Sequence, residues 1–205
     1  MKEAYIPYVE EPIDWSRIPS LPIAEHVRLL ETSAKAFGQI CYSATALHIR
    51  LTAFEPEIRK EESGPLCMPC RDSCLEFFFC PDEQDLRYFN FEFNPKGCMY
   101  LGFGTGPADL IRLVLSEAKQ QAWFSPVTEE KADSWSVSFR VPYTFVRQFF
   151  PDFSVKTPKA IRGNFYKCGD SLEQPHFLAW NKITREGVGL FHTPSQFGRL
   201  YLEKT

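Results

Sequence analysis

In the run Tyr88-Phe-Asn-Phe-Glu-Phe-Asn94 every second residue is a phenylalanine. A period of two is the signature of a strand, because successive side chains leave a strand on opposite faces. Phe89, Phe91 and Phe93 therefore point one way, and Tyr88, Asn90, Glu92 and Asn94 point the other. Just upstream, Leu75, Phe77 and Phe79 alternate with Cys74, Glu76, Phe78 and Cys80, and Pro81-Asp-Glu-Gln-Asp85 reads as the connecting turn. Any even pairing sum across this hairpin puts Glu76 on the same face as Asn90 and Glu92. The hairpin then has one phenylalanine-rich face, which must be buried, and one polar face.

The same alternation recurs. Leu47, Ile49 and Leu51 alternate with His48, Arg50 and Thr52, and Trp135, Val137, Phe139 and Val141 with Ser136, Ser138 and Arg140. Residues 162–168, 176–181 and 198–203 also read as extended, and Trp135 and Trp180 read as core. Two helices are expected, at 142–150, where Pro142 suits a first helical position and Pro151 ends the run, and at 109–121, where Leu110, Leu113, Val114 and Glu117 fall at helical spacing. Nineteen Phe, eight Tyr and four Trp favour strands, and 16 Pro with 11 Gly punctuate the chain too often for a helical bundle. The expected fold is all-β, an antiparallel, jelly-roll-like β-sandwich with one or two short helices, and residues 1–205 are read as one domain.

A formal net charge of −3 argues against a general nucleic-acid binder. No apolar run is long enough for a helical membrane span, and the first residues carry no secretory-type apolar stretch, so a soluble, cytoplasmic protein is expected. Seven cysteines, at 41, 67, 70, 74, 80, 98 and 168, fit reduced thiols better than a disulfide framework. Cys67-Met-Pro-Cys70 has CxxC spacing with Cys74 and Cys80 close behind, but a structural zinc site would show a second pair at a recognisable spacing. No nucleophile elbow or phosphate-binding glycine loop is present, and no catalytic residue is assigned.

Four strings in order are more specific. Asp72-Ser-Cys-Leu-Glu-Phe-Phe-Phe79, Tyr88-Phe-Asn-Phe-Glu-Phe-Asn94, Arg162-Gly-Asn-Phe-Tyr-Lys-Cys-Gly-Asp170 and Phe191-His-Thr-Pro-Ser-Gln-Phe-Gly-Arg-Leu-Tyr-Leu202 resemble the family 9 carbohydrate-binding modules. The chain looks closest to the family 9-like proteins related to the xylanase-attached modules. The resemblance implies a β-sandwich that binds a mono- or oligosaccharide without catalysis, in a setting of glycan metabolism of bacterial type. In the xylanase-attached modules two tryptophans sandwich a terminal sugar. Here Met68-Pro-Cys-Arg71 stands at the first of those positions and Phe191-His192 at the second. Glu76 matches the strand carboxylate that accepts bonds from sugar hydroxyls.

The ligand-binding residues expected on this basis are Arg71, Glu76, Asn90, Glu92, Asn164, Phe191 and His192. An aromatic ring suits the C–H face of a pyranose, and planar polar groups suit its hydroxyl rim. Each also has a plainer explanation. Glu76, Asn90 and Glu92 would equally form a solvated outer sheet face, Arg71 a salt bridge, and Asn164 a bond to loop backbone. Asp82, Glu83 and Asp85 offer oxygens for calcium, although a charged hairpin turn explains them; no other cofactor is expected. Two further functional readings stay open. One is a sandwich that binds another protein through an apolar outer face, and the other a glycoside-processing enzyme using Glu76 and Glu92 as paired carboxylates.

Overall fold

The structure is a computed structural model that describes residues 1–28, 30–156, 159–184 and 189–203. The alternating segments become strands whose apolar faces have nowhere to go but against one another. In chain order these are β1 (Glu3–Ile6), β2 (Leu21–Ile23), β3 (Glu25–His26), β4 (Lys35–Tyr42) and β5 (Ala46–Phe54). There follow β6 (Cys74–Cys80), β7 (Tyr88–Phe93), β8 (Met99–Gly104), β9 (Ile111–Arg112) and β10 (Val127–Glu130). The last four are β11 (Ser134–Pro142), β12 (Lys159–Cys168), β13 (Phe177–Ala179) and β14 (Gly198–Leu202). One sheet runs β10-β11-β5-β4-β2; the other runs β1-β14-β12-β6-β7-β8-β9, with β13 and β3 continuing from the far end of β12. All pairings between named strands are antiparallel except β1 with β14.

The expected β-sandwich is the fold observed. Phe77, Phe79, Phe89, Phe91, Phe93 and Phe165 of the larger sheet share one core with Ile40, the row Leu47, Ile49 and Leu51, and the row Val137, Phe139 and Val141 of the smaller one. Phe139 reaches across to Phe91 and Phe93, with ring centroids 5.5 and 4.8 Å apart. Burying each such ring stabilises the fold by roughly 1.5–3 kcal/mol. Trp135 and Trp180 are both in this core.

The helices differ from expectation. The segment 109–121 does not form one helix: Ile111–Arg112 is the edge strand β9 on β8, and the helix α1 spans Glu117–Phe124. Ser116 is the reason, since its side chain caps the helix by accepting from the Lys119 N–H. The backbone before it is drawn onto the exposed edge of β8. Pro142 ends β11, and only Tyr143–Val146 form the regular helix α2, before ragged turns lead to Pro151.

The thiols differ as well. Cys67 and Cys98 form a disulfide with Cα atoms 6.5 Å apart, so the expectation that every cysteine is reduced does not hold for this pair. The CxxC spacing does not assemble a site, because Cys67 bonds to the β7–β8 turn and Cys70 stays free. Two acids of the β6–β7 turn are paired within the chain: the Arg87 guanidinium donates to Asp85, and Arg199 of β14 pairs with Glu83.

Candidate functional site

The polar face of the β6–β7 hairpin is not the solvated face that antiparallel sheets commonly carry. Glu76, Asn90 and Glu92 are 2%, 0% and 6% exposed. Segments without regular strands lie over them. The loop 57–72 is held down by Asp72, whose Oδ1 accepts from the Glu61 N–H at 3.0 Å and whose Oδ2 accepts from the Glu62 N–H at 2.8 Å and the Asn94 amide at 2.9 Å. Arg112 donates to the carbonyls of Leu66 and Cys67 and rests on the Tyr100 ring, which closes the β8 side. On the other side the turn at Gly189–Thr193 carries Phe191 and His192.

Strand register sets the floor. Tyr166 pairs with Glu76, Glu76 with Glu92, and Glu92 with Tyr100, so two carboxyls sit side by side in a transverse row with a tyrosine at each end. One row towards the β6 start, Cys168 pairs with Cys74. One row the other way, Asn90 pairs with Gly102, where a Cβ would stand 1.9 Å from Asn90 Oδ1. Glycine there leaves the room in which the Asn90 amide turns to donate to Glu92 Oε1 at 2.7 Å.

Above this floor opens a cavity of about 270 Å³. Glu76, Glu92, Tyr100 and Cys168 line it from the sheet, Met68 and Cys70 from the covering loop, and Phe191 and His192 from the final turn. Phe191 stacks on Tyr166 with centroids 4.1 Å apart, and the Tyr166 hydroxyl donates to the Phe191 carbonyl. His192 Nδ1 lies 2.7 Å from the Tyr88 hydroxyl, and burial pulls the imidazole down to about 4. Asp170 and Arg28 stand at the rim, with the Arg28 guanidinium over the Phe177 ring.

Glu76 is short of partners. Glu76 Oε1 accepts from the Cys168 thiol at 3.1 Å and the Cys74 thiol at 3.6 Å, while Glu76 Oε2 and Asn90 Oδ1 are buried with no hydrogen-bond partner. Burial raises both carboxyls above the usual range; Asp170 lifts Glu76 further, and Glu76 lifts Glu92. Two carboxyls raised in this way hold protons to higher pH than exposed acids do, which puts an O–H donor beside acceptor oxygens in one row. Burial thus supplies a raised acid that no local sequence pattern announces. A glycosidase pair flanks the scissile bond from either side of a cleft, whereas these two acids lie side by side on one floor.

Of the seven expected residues, Glu76, Glu92, Phe191 and His192 are brought to the cavity, and Asn90 stands behind Glu92. Arg71 is not among the lining residues; its side chain is 60% exposed and its Nη1 lies 3.4 Å from Glu62. The 3-10 turn Pro69–Arg71 presents Cys70 to the cavity instead. Asn164 is occupied by the chain: its amide donates to the Asn181 carbonyl and its oxygen accepts from the Asn181 N–H at 2.8 Å. Sequence reasoning missed Tyr100 and Cys168, which the alternation would place correctly once the order β12-β6-β7-β8 is known. No local signal marks Asp170 or Arg28.

A family model described as carbohydrate-binding family 9 matches residues 30–202. The chain belongs to this family. Among solved structures, a protein of Bacteroides uniformis ATCC 8492 provisionally assigned to carbohydrate binding is similar over 98% of this chain and 99% of that one, at 26% identity and a TM-score of 0.81. A family 9 module from Caldicellulosiruptor kristjanssonii in complex with glucose is 13% identical, with a TM-score of 0.71 over 100% of this chain and 97% of its own. The same organism's module in complex with cellotriose is 13% identical, with a TM-score of 0.69 over 100% and 95%. At 13% identity these two support the shared fold alone. No curated protein matches the chain.

Proposed function

We propose that this family 9 protein binds a carbohydrate without turning it over, with one pyranose ring seated over the Glu76–Glu92 row. The observation that carries the reading is the row itself: paired buried carboxyls, one oxygen of which has no partner, open into a cavity beside an aromatic ring. Such a floor is costly to the empty fold and is compensated by a ligand rich in hydroxyls, each of which donates and accepts. Phe191 offers the apolar wall for the C–H face of the ring, replacing one side of the family's tryptophan pair. Met68 and Cys70, where the other tryptophan stands in the xylanase-attached modules, give a softer wall and a modest affinity. A volume of about 270 Å³ is at the small end of ligand sites and suits a monosaccharide or the terminal ring of an oligosaccharide. The site is concave and acidic, unlike the broad apolar face that docking of another protein calls for.

Calorimetry on chelator-treated protein tests this with glucose, cellotriose and a panel of other hexoses and pentoses. The expected result is saturable heat with at least one sugar, weakened about tenfold or more in Phe191→Ala and in Glu76→Gln. Absence of heat with every sugar overturns the proposal.

A further inference from the structure

We propose that Cys74, Glu76 and Cys168 form a binding site for one thiophilic metal ion, Zn²⁺ or another cation of comparable softness, in the floor of the cavity. The reading shares the unpartnered Glu76 carboxyl with the sugar proposal but requires no sugar, and the two thiols are evidence of its own. Cys74 and Cys168 face each other directly across β6 and β12, and Glu76 is the next residue on the same face of β6. Their ligand atoms, two Sγ and a carboxylate oxygen, all lie within 4.8 Å of one another, and all three residues are buried. A tetrahedral zinc with Zn–S near 2.3 Å holds its sulfurs about 3.8 Å apart, so small side-chain rotations close the site. Among the described residues no other group of three or more Cys, His, Asp or Glu side chains converges this way.

A second observation points to a ligand. Glu76 Oε2 is buried without a partner, and its Oε1 is bonded only by two thiols, which are weak donors. A buried carboxylate is ordinarily satisfied by stronger groups, as Asp72 is just before the same strand. A cation replaces two weak S–H donors with direct bonds. Binding releases both thiol protons, and the proton held on Glu76 where it is protonated, to solvent; the two thiolates with the carboxylate, three negative charges, then face two positive ones. Two thiolates and one carboxylate select borderline-soft ions such as Zn²⁺ and Cd²⁺ over Ca²⁺ and Mg²⁺. Access is built in, because Glu76 and Cys168 both line the cavity.

The experiment is a titration of the whole chain, stripped by chelator, with Cd²⁺, followed by the ultraviolet sulfur-to-cadmium charge-transfer band. One equivalent is expected to saturate the band, and Ca²⁺ is expected to leave it unchanged in competition. Cys74→Ser and Cys168→Ser should each weaken binding at least tenfold, and Cys41→Ser, buried in the other sheet, should not. No band, or a band that survives in the Cys74→Ser/Cys168→Ser double variant, overturns the proposal. Should a serine variant fail to fold, wild-type protein decides: one equivalent of Cd²⁺ should slow alkylation of Cys74 and Cys168 at least tenfold in mild denaturant, read by peptide mass, and unchanged alkylation overturns it. None of these readouts uses a sugar.

Discussion

Asp72 and Glu76 are both buried acids, four residues apart at the start of β6, and their surroundings are opposite. Asp72 receives two backbone N–H groups and an amide, with Arg59 Nε 3.4 Å away; Glu76 receives two thiols and has an oxygen left over. The first is a clamp that fastens the covering loop to the sheet. The second is a group that the fold holds at a cost. The difference teaches that equal burial hides two situations: an acid fully bonded within the chain, and one left with an unpartnered oxygen, which the proposed function gives to a ligand.

The comparison breaks first at Asp72. Asp72→Ala removes the acceptor of the Glu61 and Glu62 N–H groups and leaves the Asn94 amide only its bond to the Glu62 carbonyl, and should cost about 3–5 kcal/mol in urea unfolding. A loss under about 1 kcal/mol would remove the distinction. His192 supplies the next effect. Its folded value is depressed to about 4 from 6.5, so the unfolded chain binds the extra proton. The stability it contributes is therefore complete above about 6.5 and lost as pH falls towards 4, by up to about 3 kcal/mol. The difference between wild type and His192→Gln across that window isolates it, and parallel curves would refute it.

Glu76→Gln should then act in the opposite direction from Asp72→Ala. Replacing a poorly partnered buried carboxyl by an amide should leave unfolding free energy unchanged or raise it by about 1 kcal/mol, while sugar affinity falls about tenfold. A Glu76→Gln protein as unstable as Asp72→Ala would make both acids clamps. The smallest effect is at Arg71, outside the cavity on an exposed ion pair. Arg71→Ala should change stability by less than about 0.5 kcal/mol and sugar affinity less than about twofold, by the same urea and calorimetric measurements.

Much of this architecture is legible in the chain alone. The hairpin can be read because Phe89, Phe91 and Phe93 repeat at a period that only a strand satisfies, and the shared face of Glu76 and Glu92 follows from parity. The segment 109–121 misleads because Leu110, Leu113 and Val114 fit a helix on spacing alone, while the strand it partly forms is induced by the open edge of β8. Arg71 misleads because alternation stops at β6, and a 3-10 turn decides which neighbour faces inward.

Alternation along the chain by itself determined the sandwich, its phenylalanine core and the common face of Glu76, Asn90 and Glu92, because side-chain direction in a strand depends only on position within that strand. Whether that face met water, a loop or a cavity depended on segments far away in the chain. Cys168, 92 residues from Glu76, and the turn bearing Phe191 and His192 reach it only through strand order and loop closure. Burial, and with it the raised carboxyls and the unpartnered oxygen, is a property of that assembly, since desolvation is set by what lies overhead and not by the residue itself.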